Sequence, residues 1–271
     1  MRQGYAAVGD ARLFYRESGA GNLVMFIHAG VADSRMWAPQ IEAVPAGFRF
    51  VAFDQRGFGK SRLVEGHYSD HLDALALMDH LGAESAVVVG CSMGSAVAVR
   101  VAAAAPERVT GLVLVGADSP GFEPSRSYES PEWPAAVSAF AAGDLSRVAQ
   151  LEAEIWLAGS GRTIDEVDPD LVALFVEMDL TALETETDRD KALRPGPDLL
   201  DSLNGLECPM LVVVGSHDLP TLVEAAHDLA SKYSGEDAVV ITDTAHLPGF
   251  ERHEVFNSVL FPFLESTVTG V

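Results

Sequence analysis

The run Val87-Val88-Val89-Gly90-Cys91-Ser92-Met93-Gly94-Ser95-Ala96-Val97-Ala98 constrains this chain more than any other. Its three leading valines read as a buried strand, and the small residues after Gly94 read as the start of a helix. A strand that turns straight into a helix presses backbone against backbone. Only residues without a side chain fit where the approach is closest, here Gly90 and Gly94. G-x-S-x-G in that setting is the pattern of a nucleophile elbow, which lifts the Ser92 hydroxyl above the end of the strand. An ordinary glycine-rich turn has the same composition, so the rest of the chain has to decide.

At 271 residues the chain has room for one or two domains. With 48% hydrophobic and 21% charged residues it reads as a soluble globular protein, and no apolar run is long enough for a membrane span. Met1-Arg2-Gln3-Gly4-Tyr5 lacks the apolar core of a secretory signal, which makes the cytoplasm the expected location. Cys91 and Cys208 are too few for a disulfide framework and have no zinc-ligand spacing, so both read as small buried residues and no metal is expected. The net charge of -22 argues against nucleic acid, anionic membrane surfaces and strongly anionic substrates. That charge is heaviest between Gly121 and Asn204, where it reads as a solvated face. Nothing in the composition bears on oligomeric state.

Residues 11–17 partly alternate in polarity, like a half-exposed strand near a sheet edge. Uninterrupted apolar runs at 23–27, 50–53, 86–89, 112–115, 211–214 and 238–241 read as strands buried on both faces. Helical stretches at 35–42, 69–81, 92–105, 219–233 and 254–261 alternate with them. This pattern implies a three-layer α/β/α sandwich with a mostly parallel sheet and right-handed crossovers. The alternation breaks once, between residues 119 and 204. That stretch opens with Pro120, Pro124, Pro131 and Pro134, carries amphipathic segments at 135–140, 145–157 and 171–180, and closes with Arg194-Pro195-Gly196-Pro197. A structureless loop of such length is uncommon, so it reads as a helical cap inserted between core segments 1–118 and 205–271.

A serine hydroxyl attacks only if a base takes its proton and a third group orients that base. His246 follows the last buried strand, and Asp218 follows the one before it. In a parallel sheet the loops beyond the strands' C-terminal ends share one edge, where ligand sites form. Ser92, Asp218 and His246 would meet there, in the order Ser, Asp, His. The N–H groups of Met93 and Gly30 would form an oxyanion hole, with His28 bracing the loop through hydrogen bonds. Two decoys fail. Gly59-Lys60-Ser61 lacks the upstream glycine of a phosphate loop, because Asp54 stands there. His67 and His71 have metal-ligand spacing, but Ser69 reads as the cap of that helix and leaves His67 outside it. Trp133, Trp156, Phe175 and Met178 either hold the cap together or line an apolar pocket.

Taken together, the segments His28-Ala29-Gly30 with Trp37, Asp54-Gln55-Arg56-Gly57-Phe58-Gly59-Lys60-Ser61, Gly90-Cys91-Ser92-Met93-Gly94, Gly215-Ser216-His217-Asp218 and Ala245-His246-Leu247-Pro248 resemble the α/β-hydrolase superfamily. The likeness is to its capped esterase, enol-lactonase and carbon–carbon hydrolase branch. It implies hydrolysis of a small ester or lactone through an acyl-enzyme, without metal or organic cofactor, in an apolar pocket under the cap. Carbon–carbon cleavage on the same triad and slow-turnover ligand reception are the alternatives it leaves. A serine at the elbow separates the chain from the dehalogenase and epoxide hydrolase relatives, which use aspartate. Met93 separates it from the proline iminopeptidases, which usually carry tryptophan there. Ala29 replaces a usual glycine, Ser95 a second glycine after the elbow, and His253 a common proline.

Overall fold

Alternate residues of the inner strands face opposite sides of one sheet and meet apolar partners on both, so their sequences are apolar without a break. The computed structural model describes residues 1–64, 66–117, 130–185 and 203–269. The sheet contains β1 (Arg2–Val8), β2 (Ala11–Gly19), β3 (Asn22–Ile27), β4 (Phe48–Phe53), β5 (Ala86–Cys91), β6 (Val109–Val115), β7 (Met210–Gly215) and β8 (Val239–Ile241). Their order is β1-β2-β4-β3-β5-β6-β7-β8, with β2 antiparallel to both of its neighbours, β1 and β4, and every other pair parallel. β5 therefore lies inside the sheet, with β3 and β6 as neighbours.

The described helices are α1 (Ala38–Glu42), α2 (Asp70–His80), α3 (Met93–Ala104), α4 (Trp133–Ala141), α5 (Leu145–Ala153), α6 (Pro169–Leu183), α7 (Pro220–Leu229), α8 (Pro248–Glu251) and α9 (His253–Thr269). On one face, Val24, Phe26, Val87, Val89, Val113 and Val213 pack with Trp37, Ile41, Phe256 and Leu260. On the other, Leu23, Met25, Val88, Leu112 and Val212 pack with residues of α2, α3 and α7. Among the described residues, no helix is long and apolar enough to cross a membrane.

The structure departs from the sequence reading at several places. β2 lies near the sheet edge as expected, but the edge itself is β1, where only Ala6 and Val8 are buried, so it carries almost no apolar signal. The run at 238–241, expected to be buried on both faces, is β8 at the opposite edge, with Val240 exposed. α9 runs through Pro262 to Thr269, beyond the expected end at 261. Leu260 and Leu264, on either side of the proline, are both buried, and their packing outweighs one lost backbone bond. Cys208 is half-buried rather than buried.

The helices α4, α5 and α6 stand between β6 and β7, where the sequence broke its alternation. Pro120, Pro124 and Arg194-Pro195-Gly196-Pro197, expected to bound this insertion, lie outside the described residues. Ile155, Trp156, Leu157, Phe175 and Met178 join the apolar cluster that contains Phe26 and Trp37 of the core. Among the described residues, only a small cluster around Val148, Ala149 and Leu183 belongs to the inserted helices themselves. Because the apolar interior is shared, Phe175→Ala should cost about 3–5 kcal/mol of global stability. Urea unfolding followed by far-UV and near-UV circular dichroism should show one coincident transition, shifted to lower urea. A separate early transition for the inserted helices would contradict a shared interior.

Candidate active site

Ser92 follows β5 with φ 53° and ψ -118°, a backbone conformation that costs a residue bearing a side chain on the order of 1–3 kcal/mol. The turn is as tight as its glycines imply. A Cβ on Gly90 would lie 2.2 Å from the Gly94 carbonyl oxygen, and one on Gly94 would lie 2.4 Å from that of Ile27. The Ser92 N–H donates to the Val115 carbonyl at 2.8 Å, and its carbonyl accepts the Ser95 N–H at 2.8 Å. Ser95 does work that glycine could not. Its hydroxyl donates to the Gly90 carbonyl at 2.8 Å and accepts the Val115 N–H at 3.2 Å, joining β5, β6 and α3 behind the turn.

Asp218 stands just beyond β7, with Oδ1 accepting the Leu219 N–H at 2.8 Å. His246 Nδ1 lies 2.9 Å from its Oδ2 and 3.1 Å from its Oδ1, and both side chains are buried. A carboxylate oxygen accepts, so Nδ1 is the donor in this contact. The His246 N–H donates to the Trp156 carbonyl at 3.1 Å. The Trp156 ring lies over the imidazole at 4.6 Å between centroids. A Cβ on Gly116 would come within 3.0 Å of Nδ1, so the end of β6 abuts the histidine. Ser92 is bonded to the residue before Gly116, which brings Ser92, Asp218 and His246 to the same edge of the sheet.

The loop after β3 completes the group. The His28 Nδ1 donates to the Ala29 carbonyl at 2.8 Å, and Nε2 accepts the Gln55 N–H at 3.0 Å. One nitrogen donating and the other accepting makes a neutral ring that braces the loop. Asp54 supports the same region, its two oxygens accepting the N–H groups of Ser34 and Lys60. Burial, followed by the nearby charge of Asp33, raises the Asp54 carboxyl above the usual range. Ala29 is fully buried and its N–H points at the Met36 sulfur, so the methyl that replaces the usual glycine hydrogen is accommodated. A Cβ on Gly30 would lie 3.7 Å from Met93 Cβ, which places the two residues side by side. Met93 opens α3, and the first N–H groups of a helix have no acceptor within it.

Sequence reasoning left Trp156 between two roles and missed Arg162 and Glu251. Trp156 lies in a π-helical turn, Glu154–Ala158, of a kind common at functional sites but without a sequence signature. Arg162 and Glu251 bracket the His246 loop through contacts 89 residues apart in the chain. Cys91, between strand and serine, is fully buried, and burial followed by the Asp218 charge pushes its thiol well above the ordinary range.

A model of the alpha/beta hydrolase fold matches residues 22–253. The AB hydrolase superfamily protein YisY of Bacillus subtilis is 28% identical over 261 residues, covering 94% of this chain and 96% of its own. The enol-lactonase of Burkholderia xenovorans LB400 superposes with a TM-score of 0.77 at 26% identity, covering 97% of this chain and 100% of its own. A thermophilic esterase from Thermogutta terrifontis gives 0.78 at 25% identity, with 98% and 99% covered. The buried thiol yields a direct check. Cys91 should remain unalkylated by iodoacetamide in the native protein near neutral pH and react only on unfolding, read by peptide mass spectrometry. Labelling of native Cys91 at the rate of a free thiol would mean that the elbow opens.

Proposed function

The chain belongs to the alpha/beta hydrolase fold family, and from that premise we propose that it is a serine hydrolase of small carboxylic esters and lactones. The observation that carries this reading is the buried Asp218–His246 pair, which lies at the same sheet edge as a serine in a strained turn. In the proposed reaction His246 Nε2 takes the Ser92 proton as Oγ attacks the ester carbonyl. Asp218 holds the tautomer and stabilises the imidazolium. The N–H groups of Gly30 and Met93 receive the oxyanion, each such donor contributing on the order of 3 kcal/mol in the transition state. His246 then protonates the leaving alkoxide, and water releases the acid through the reverse sequence. With a lactone the alcohol stays tethered to the acyl group, so the same steps give a hydroxy acid.

The inserted helices are proposed as the roof of the site, with Trp156 the roof residue in contact with the base. The enol-lactonase and esterase likenesses support both ester types as substrates without choosing between them.

Hydrolysis of p-nitrophenyl esters from acetate to octanoate, alongside simple lactones, tests the proposal. Ser92→Ala should lower kcat roughly a millionfold while leaving the circular dichroism spectrum unchanged. His246→Ala should likewise lose most of its kcat, because no other group then takes the Ser92 proton. Wild-type rates in Ser92→Ala or in His246→Ala would remove the serine or the histidine from its role.

A further inference from the structure

Arg162 follows the π-helical turn, where the inserted helices come back against the sheet. Its guanidinium is largely buried and spreads over four acceptors. Nη2 donates to the Leu157 carbonyl and to Glu251 Oε2, both at 2.7 Å. Nε donates to the Ala158 carbonyl at 3.0 Å, and Nη1 to the Asp243 carbonyl at 2.8 Å. Glu251, more deeply buried still, uses its other oxygen to accept the Ala245 N–H at 2.7 Å. Burial works against its charged form and Arg162 works for it.

The backbone groups in this arrangement are the immediate neighbours of groups that touch the base. Ala245 precedes His246. Leu157 and Ala158 follow Trp156, whose carbonyl takes the His246 N–H and whose ring covers the imidazole. Asp243 has φ 56°, and it and Ser92 are the two described non-glycine residues with positive φ. Arg162 thus holds the carbonyl of a strained residue three positions before His246. A buried ion pair is weak evidence for stability, because desolvation offsets most of its attraction. Forked donors spread across two backbone segments instead fix their relative position.

We propose that Arg162 and Glu251 are positioning residues for His246, locking residues 243–246 to the inserted segment 156–158 so that Nε2 is presented to Ser92. This rests on the reading of His246 as the base. Neither residue touches substrate; both act through the imidazole. The inserted helices then hold the base in place as well as roofing the site.

The test compares Arg162→Met, Arg162→Lys, Glu251→Gln and the Arg162→Met/Glu251→Gln double variant in the intact chain. p-Nitrophenyl acetate is the substrate, and reactive serines are counted by fluorophosphonate titration to end point. A positioning role lowers turnover per titrated serine, whereas a purely structural one lowers only the number of reactive serines. Arg162→Met and Glu251→Gln should each lose on the order of 100-fold in kcat per reactive serine, the scale of a base displaced by about an ångström. KM should stay within about twofold, since substrate contacts are untouched. The double variant should be no worse than the worse single one, because both remove the same lock. Arg162→Lys, which keeps the charge and loses the fork, should recover part of kcat. If Arg162→Met does not fold, Arg162→Lys and Glu251→Gln decide alone. Full kcat per reactive serine in the folded variants overturns the inference, whatever their melting temperatures. Ser92→Ala and His246→Ala are assayed in parallel. If both are inactive while the Arg162 and Glu251 variants keep full kcat, only the positioning role fails. If both stay active, the triad reading fails and the positioning role with it.

Discussion

The backbone of Ser92 is the constraint on which the rest of the structure depends. A residue with a side chain held at φ 53° must be kept there by its surroundings, and the surroundings here are backbone in direct contact with backbone. Gly94 packs on the carbonyls of Ile27 and His28, and Gly90 packs on Gly94, so β3, β5 and α3 are pressed together at one point. Ser95 adds β6 to that contact through its hydroxyl. The strain is offset by burial of β5 on both faces, and relaxing the turn would pull these elements apart. A serine placed this way needs no substrate to orient it.

The inserted helices share the molecule's interior. Trp156, Phe175 and Met178 belong to the same cluster as Phe26 and Trp37, and further polar contacts join insertion to core. Arg35 pairs with Asp33 and with Glu177 of α6, and the opposed partners raise its already high basicity. Thr185 donates to the Gly57 carbonyl at 2.6 Å. Ser160 and His217 exchange two hydrogen bonds, with the Ser160 N–H donating to the His217 carbonyl and His217 Nδ1 donating in return. These contacts reach the loops after β3, β4 and β7, so movement of the insertion would be felt at the residues proposed for chemistry.

Much of this was legible in the sequence because it is written locally. A strand covered on both faces must be apolar throughout, so the five inner runs declared themselves, and β8 at the edge carried the same signal in its valines. Strand ends follow from strands, and that alone brought Asp218 and His246 to one edge before any distance was known. Ser95 was legible only as a departure, because its purpose depends on Val115, twenty residues away. β1 was not legible, since an edge strand that buries two residues carries no pattern. Arg162 and Glu251 were invisible for a stronger reason. A charged residue after Gly159-Ser160-Gly161 reads as a solvated loop, and only the fold brings a glutamate from α8 to meet it.

The parallel sheet explains why such an arrangement is possible and also why it needs a lock. It delivers Ser92, Asp218 and His246 to one edge from three crossovers, so each position is set by a different strand and a different set of packing contacts. Strands fix backbone ends well, but a loop beyond a strand is held only by what touches it. Ser92 is held by the elbow, and Asp218 sits one turn from the start of α7 with its carboxylate anchored on the Leu219 N–H. His246 lies five residues beyond the three-residue strand β8, the shortest in the sheet, and follows a strained residue. Core groups hold its loop: the His217 N–H donates to the Thr244 carbonyl at 2.8 Å, the Ser216 hydroxyl accepts the Asp243 N–H at 3.0 Å, and the Cys91 sulfur lies 3.6 Å from the His246 carbonyl. Trp156 and Arg162 in the insertion and Glu251 in α8 add further bonds to it. The insertion is thus bonded to the same loop as the ends of β5 and β7, and on the proposed reading it shares with them the positioning of the base.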